Sequence, residues 1–359
     1  MADSPDPTAS PGGGHSTWER VLLASDWLLG RTSARGWVDL LFVPAVIVGL
    51  FIYFASVNEF FLESRNLTNI TVQASVLAIV SFGVTYVILA GELDLSVGSG
   101  VALASVIAAF VMRDTGSILL GFLVALGVGL AIATFNGLVV TRLEVPSFIA
   151  TFGMLFIAGG LALAATDGGV VSGVPSGISV IAKEGFLGLR WIVWITLAVF
   201  AVLFFIQTQT AFGVRVFAVG GNRQASRLVG IAVDRVRMTV FLISGVTMGI
   251  AAFVLTARLE SGQPKGGILL ELDAVTAIVI GGTSIFGGRG SLTRTLFGVL
   301  LIAVLINGLS LEGVGDDIRR IIIGGVLIAA ASADYFRTRM LPERRQRRQA
   351  ALAAEGGEA

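Results

Sequence analysis

Residues 211–230 read Ala-Phe-Gly-Val-Arg-Val-Phe-Ala-Val-Gly-Gly-Asn-Arg-Gln-Ala-Ser-Arg-Leu-Val-Gly, a glycine- and arginine-bearing stretch set deep inside a chain of long apolar runs. Gly220-Gly221 is expected to make a turn, Asn222 to cap the next backbone amides, and Gly230 to supply a left-handed helix stop. Between them lies room for about two helical turns at ~1.5 Å per residue, too little to cross a bilayer. Ala225, Leu228 and Val229 fall on one face, with Arg223, Gln224, Ser226 and Arg227 toward the other. Such a helix suits a partner's groove. The plainer alternative is a basic loop held by lipid headgroups.

The surroundings decide what kind of chain carries this segment. With 55% hydrophobic and 14% charged residues and a mean hydropathy of +0.87, it is far more apolar than soluble domains, in which about 25% of residues are charged. It reads as an all-α, polytopic transmembrane helix bundle. Absence of cysteine excludes disulfides, thiol catalysis and thiolate metal sites. The single histidine, His15, lies in a Pro/Gly/Ser-rich tail, so neither a histidine metal cluster nor a histidine-based triad is expected. Residues 1–17 read as a disordered tail and not as a cleaved signal peptide, which leaves the first span as its own insertion signal.

Apolar runs near the required ~20 residues give about ten candidate spans. They lie near 38–57, 70–90, 96–112, 117–140, 147–165, 190–207, 236–256, 272–287, 292–311 and 318–335. The eighth is interrupted by Gly-Gly and acidic residues, which also fits a broken helix. An even count puts both termini on one side. Seventeen of the 25 cationic residues fall in the tails and the loops on that side, so the termini and the 208–235 loop are expected in the cytoplasm. The expected organisation is a cytoplasmic tail over 1–36, a transmembrane domain over 37–336, and a basic then acidic cytoplasmic tail over 337–359. Gly245 and Gly249 stand one turn apart and are expected to serve close helix packing within the chain more than dimerisation.

Two junctions inside the bundle carry polar chemistry. Gly91-Glu-Leu-Asp-Leu-Ser-Val-Gly-Ser99 places Glu92 and Asp94 between two spans without a polar linker. A charge at such depth costs about 2.5–3.5 kcal/mol, so each needs a watery cavity, a partner or an interfacial position. Asp94 or Ser96 capping the next helix is the structural alternative to a place on a transport pathway. The second junction, Gly281-Gly-Thr-Ser-Ile-Phe-Gly-Gly-Arg-Gly-Ser291, is glycine-rich enough to break a helix and turn backbone groups toward a cavity. It is not a phosphate loop, and no G-x-x-x-x-G-K-[ST] occurs in the chain. Candidate pathway residues are therefore Glu92, Asp94, Ser96, Asn136, Thr283, Ser284 and Asn307. The two asparagines can donate to and accept from a polyhydroxylated solute, or bond helix to helix.

Taken together, the 91–99 junction, Phe212-Gly-Val-Arg through Arg227-Leu-Val-Gly-Ile231, Glu271-Leu-Asp-Ala through Gly281–Ser291, and Val145-Pro-Ser-Phe-Ile-Ala-Thr-Phe-Gly-Met154 resemble one family. It is the membrane permease subunit of bacterial ABC importers of the ribose/xylose/galactose type, and the likeness runs from about 40 to 335. The resemblance implies a non-catalytic, multi-pass subunit of the bacterial plasma membrane that passes a pentose or hexose inward by alternating access. It implies as partners a second permease copy, more readily an identical one, a cytoplasmic ABC ATPase and an extracellular sugar-binding protein. ATP and Mg belong to the ATPase; this chain would bind no cofactor, metal or nucleic acid. Gly220, Gly221, Asn222, Ala225, Arg227, Leu228 and Gly230 would form the coupling element against the ATPase. Two departures stand out: Glu92 takes the place of a second glycine, and Arg319-Arg320 replace a more neutral start of the last span. The rival reading is an ion-coupled secondary transporter using Glu92 and Asp94. A membrane-embedded enzyme is disfavoured by the missing cysteine and near-missing histidine.

Overall fold

The computed structural model describes residues 34–335, and the expected terminal tails fall largely outside that range. The chain divides into two compact units, 1–42 and 43–359; of the first, only the backbone of Ala34–Phe42, the start of a helix, is described. The helices are α1 (Ala34–Val57), α2 (Ser64–Leu89), α3 (Val97–Thr115), α4 (Ile118–Arg142) and α5 (Ser147–Ala164). After a short 3-10 turn come α6 (Ser179–Lys183), a two-stranded hairpin of β1 (Gly185–Phe186) and β2 (Leu189–Arg190), and α7 (Trp191–Gln209). Then follow α8 (Ala211–Gly221), α9 (Arg223–Leu228), α10 (Val233–Leu259), α11 (Leu270–Ile280), α12 (Leu292–Leu311) and α13 (Asp316–Tyr335).

Seven helices among the described residues, α2, α3, α4, α5, α7, α10 and α12, are long and apolar enough to cross a membrane. The expected eighth span at 272–287 is shorter than read. Its helix α11 stops at Ile280, where Gly281 and the positive φ of Gly282 turn the chain out of the helix, and at 11 residues it is only ~16 Å long. The expected last span coincides with the 20-residue α13, which is not among the seven: it opens with Asp316, Asp317, Arg319 and Arg320, and these shorten its apolar part. The connection between α5 and α7 carries α6 and the hairpin, and Val171 bridges to Gly262.

Helix α2 is the axis of the bundle, buried along most of its length, whereas α4, α5 and α7 present broad apolar faces outward. That is the arrangement a bilayer permits, since lipid and protein interior are equally apolar and packing decides the contacts. Helix α10 packs on α4, α2 and α3. At the α4–α10 crossing, a Cβ on Gly129 would lie 2.3 Å from the Gly245 carbonyl oxygen and 2.9 Å from the Gly249 nitrogen. Gly245 and Gly249 therefore serve packing within the chain. Gly129→Ala is expected to lower stability by about 1–3 kcal/mol through overpacking, read as a fall in unfolding midpoint in detergent. Gly127→Ala, whose added Cβ meets nothing within 4 Å, is the matched control.

Candidate functional site

The distinctive 211–230 segment folds as two successive helices, α8 and α9. Thr210 caps α8, its Oγ1 accepting from the Gly213 amide at 3.3 Å. Contrary to the sequence reading, Gly220-Gly221 is not a turn: both residues complete α8. The break falls at Asn222, in extended backbone, whose Oδ1 accepts from the Ala225 amide at 2.9 Å and starts α9. Gly230, at φ +82°, follows the end of α9 in the left-handed region, as read. Ser226 is the buried residue of α9, whereas Ala225 and Arg227 are exposed and Leu228 is 88% exposed. The apolar face of this short helix therefore points away from its own bundle.

Glycine is needed at 220 for a different reason than a turn. A Cβ there would lie 1.8 Å from the Leu89 carbonyl oxygen at the end of α2 and 2.7 Å from the Gly288 nitrogen. The Gly288 amide donates to that same Leu89 oxygen at 2.9 Å, so α8, the end of α2 and the 281–291 junction meet backbone to backbone. A Cβ on Gly287 would likewise sit 2.8 Å from the Gly91 Cα. All three segments singled out in the sequence thus converge at one end of the bundle.

The charges at this meeting point are paired. Glu92 is 3% exposed, and its Oε1 accepts from Arg223 Nη2 at 2.6 Å and from Arg237 Nε at 2.5 Å. Arg223 Nη2 also donates to the Gly91 carbonyl at 2.8 Å. Arg237 reaches Asp234 at 3.4 Å, and Arg227 lies 3.6 Å from the same Asp234 oxygen. Of the alternatives for Glu92, a partner is the one realised.

Asp94, two residues on, is buried without a cation. Its Oδ1 accepts from the Ser96 amide at 3.0 Å and the Ser96 hydroxyl at 2.6 Å, and its Oδ2 from the Ser244 hydroxyl at 2.8 Å. Asn136 Nδ2 donates to Ser96 Oγ at 2.9 Å, extending the chain from α10 to α4. Ser96 is the N-cap of α3, but its side chain makes no capping bond: its hydroxyl donates to Asp94 and its oxygen accepts from Asn136. Neither the Asp94 nor the Ser96 side chain accepts from a first-turn amide of α3; the Ser96 carbonyl does, from Gly100 at 2.8 Å. Backbone of the same connection is held from α5: Ser147 Oγ accepts from the Leu93 amide at 3.1 Å, and Thr151 Oγ1 donates to the Leu93 carbonyl at 3.3 Å.

Glu92, Asp94, Ser96, Asn136, Thr283, Ser284 and Asn307 are all buried, but they do not form one cluster. Asp94, Ser96 and Asn136 are joined. Thr283 and Ser284 lie in the second junction, where the Thr283 hydroxyl, like the Asn136 Oδ1, has no hydrogen-bond partner among the described residues. Asn307 pairs reciprocally with Asn66: each amide nitrogen donates to the other's oxygen, at 2.9 and 3.0 Å. Asn307 thus fastens α12 to α2. Two shallow recesses on the molecule are lined by other residues. Sequence reasoning missed Arg237, Ser244 and Asn66 as partners. Arg237 carried the clearest signal, a cation one residue inside a candidate span, which demands a carboxylate.

Known proteins with related sequences were then compared. The family described as "Branched-chain amino acid transport system / permease component" matches residues 66–331. The ribose import permease protein RbsC of Bacillus subtilis (strain 168) is 36% identical over 296 residues, covering 82% of this chain and 90% of the relative. The L-arabinose ABC transporter permease protein AraH of Azospirillum brasilense is 32% identical over 323 residues, covering 89% and 95%. The xylose transport system permease protein XylH of Escherichia coli (strain K12) is 31% identical, covering 81% and 90%. No solved structure matches. With its match spanning seven apolar helices and both polar junctions, this chain is a multi-pass membrane protein and belongs to the family of transport-system permease components.

Proposed function

We propose that the chain is the membrane-spanning permease subunit of an ATP-driven ABC importer that admits a monosaccharide, a pentose or a hexose, to the cytoplasm by alternating access. The observation that carries this is α9: a capped six-residue helix that points Leu228 away from its own bundle while rooted, through Gly220 and Arg223, on both polar junctions. A side chain that apolar, held out on a rigid stub, suits the groove of a cytoplasmic ATPase. The relatives named for ribose, arabinose and xylose support the substrate class.

In this reading α1, α11 and α13 join the seven apolar helices to make ten crossings or part-crossings. Both termini are cytoplasmic, the extracellular side receives a sugar-binding protein, and two copies of the chain form the pathway. The chain does no covalent chemistry; ATP and Mg stay on the partner. Ion coupling through Glu92 is disfavoured because two guanidiniums already hold its carboxylate.

The test is reconstitution in proteoliposomes with the ATPase and binding protein, over a panel of pentoses and hexoses. Hydrolysis stimulated by loaded binding protein and uptake of one or a few sugars are expected; vigorous uptake without any nucleotide-hydrolysing chain would refute the proposal. Leu228→Asp places a charge where an apolar contact is expected. It should weaken co-purification with the ATPase by roughly tenfold or more, the scale of burying an unpaired polar group, while insertion is unaffected.

A further inference from the structure

We infer that Glu92 is a positioning residue for transport: a buried carboxylate through which displacement of α9 reaches the interior of the bundle. The inference rests on the coupling role proposed above and goes beyond it, from where the ATPase docks to how the docked helix grips the permease.

The argument is one of connectivity. Residues 90–96 form the link between α2 and α3, and hardly any part of that link is free. Glu92 ties it to α9 by Arg223 and to α10 by Arg237. Leu93 is held from α5 by Ser147 and Thr151, and Asp94 holds Ser96 at the head of α3 and Ser244 of α10. Asn136 brings in α4 through Ser96. A short link continuous with α2 and α3 and bonded to α4, α5, α9 and α10 cannot move without moving their ends.

Arg223 ties the link to α9 twice, at the Gly91 carbonyl and at the Glu92 carboxylate, and the second bond is of the strong kind, between full charges at short distance. Arg223 is the first residue of α9, directly after its cap, so it turns with the helix. Its guanidinium is 40% exposed on the outer side of the clasp, whereas Arg237 is 9% exposed on the inner side. The carboxylate therefore bridges a short, outward-facing helix to a long, packed one. Geometry of this sort transmits a pull as well as a push, which apolar contact alone does not. Gly220 supplies the push: its Cα is pressed against Leu89 and Gly288 with no room for a side chain.

The experiment uses the assembled importer, permease with its ATPase and binding protein, in proteoliposomes, with radiolabelled ribose, arabinose and xylose as probes. Three quantities are read: ATPase association, hydrolysis, and sugar moved per ATP hydrolysed. For Glu92→Gln, association is expected to persist while sugar per ATP falls by roughly tenfold, the scale of losing a hydrogen bond between charged groups. Glu92→Asp, which keeps the charge, is expected to restore part of it. Arg223→Gln, at a partly exposed position, supplies a variant that folds even if Glu92→Gln does not, and it should lower the same ratio. Combining Arg223→Gln with Glu92→Gln should cost less than the product of the two single effects, because both break the Arg223–Glu92 bond, although Arg223→Gln also gives up the bond to the Gly91 carbonyl.

An unchanged ratio in Arg223→Gln, or effects of the two substitutions that simply multiply, would overturn the inference. Loss of ATPase association in proportion to the loss of uptake would also overturn it, since that assigns these residues to docking. Failure of the unaltered chain to associate with an ATPase would instead defeat the coupling role itself.

Discussion

Gly220→Ala is expected to abolish uptake, whereas Gly221→Ala, the same change one residue along the same helix, is expected to leave it intact. Both glycines are helical, so propensity favours alanine at each by about 1 kcal/mol and does not separate them. Surroundings do. At 220 the new Cβ would come to 1.8 Å from the Leu89 oxygen, 2.9 Å from its carbon and 2.7 Å from the Gly288 nitrogen. All are backbone atoms, which have no rotamer by which to withdraw. At 221 a Cβ meets nothing within 4 Å. Relief at 220 therefore requires α8 to lift off the end of α2, and the lift carries away the loop whose Gly288 amide bonds Leu89. Overpacking of this kind costs about 1–3 kcal/mol, set against the small propensity gain. The measurements are uptake in proteoliposomes and unfolding midpoint in detergent. Equal behaviour of the two variants would mean that the close approach at Gly220 has no part in transport.

That contrast also shows what a sequence conveys of such a site and what it withholds. Local rules located α9 well: an asparagine cap and a left-handed glycine are properties of neighbouring residues, and both are found where they were read, although Ser226, assigned to the polar face, is the residue the helix buries. The same rules misread Gly220-Gly221, because a glycine pair signals a turn only when glycine is used for its dihedral freedom. Here it is used for its missing side chain, a reason that resides in Leu89 and Gly288 and leaves no trace nearby. Glu92 was recognisably in need of a partner. Its two arginines lie 131 and 145 positions away, and the register of helices that brings them together is not a periodic property of the chain. Seven of the ten expected spans were legible because hydrophobic length is nearly sufficient to define them, and α11, which fell short, held its own warning in Gly281-Gly282. Asn307 was ambiguous for a chemical reason: an amide that suits a sugar hydroxyl suits another amide equally well, and Asn66 occupies it.

Removing both cations from the clasp is expected to have the largest effect on stability of any change near this site. In Arg223→Met with Arg237→Met, Glu92 stays where 3% of it is exposed, with a full charge and neither guanidinium. Breaking a buried ion pair from one side typically costs about 3–5 kcal/mol, far beyond the worth of the exposed Arg227–Asp234 contact at about 0–1 kcal/mol. Adding Glu92→Met removes the stranded charge and substitutes an unbranched side chain of similar length, so most of that loss should return. Replacement of whole buried ion pairs by apolar groups is often neutral or better, because desolvation consumes much of the Coulomb attraction. The order expected in a denaturant titration in detergent is thus parent and triple variant close together, with the double variant well below both. A triple variant no more stable than the double would show that the arginine stems, and not the unpaired carboxylate, account for the loss. Uptake should not follow stability: the triple variant keeps a packed interior, yet no charge joins α9 to the α2–α3 link, so it should fold and fail to couple. A protein made stable again and still unable to move sugar per ATP would separate what Glu92 does for the fold from what it does for transport.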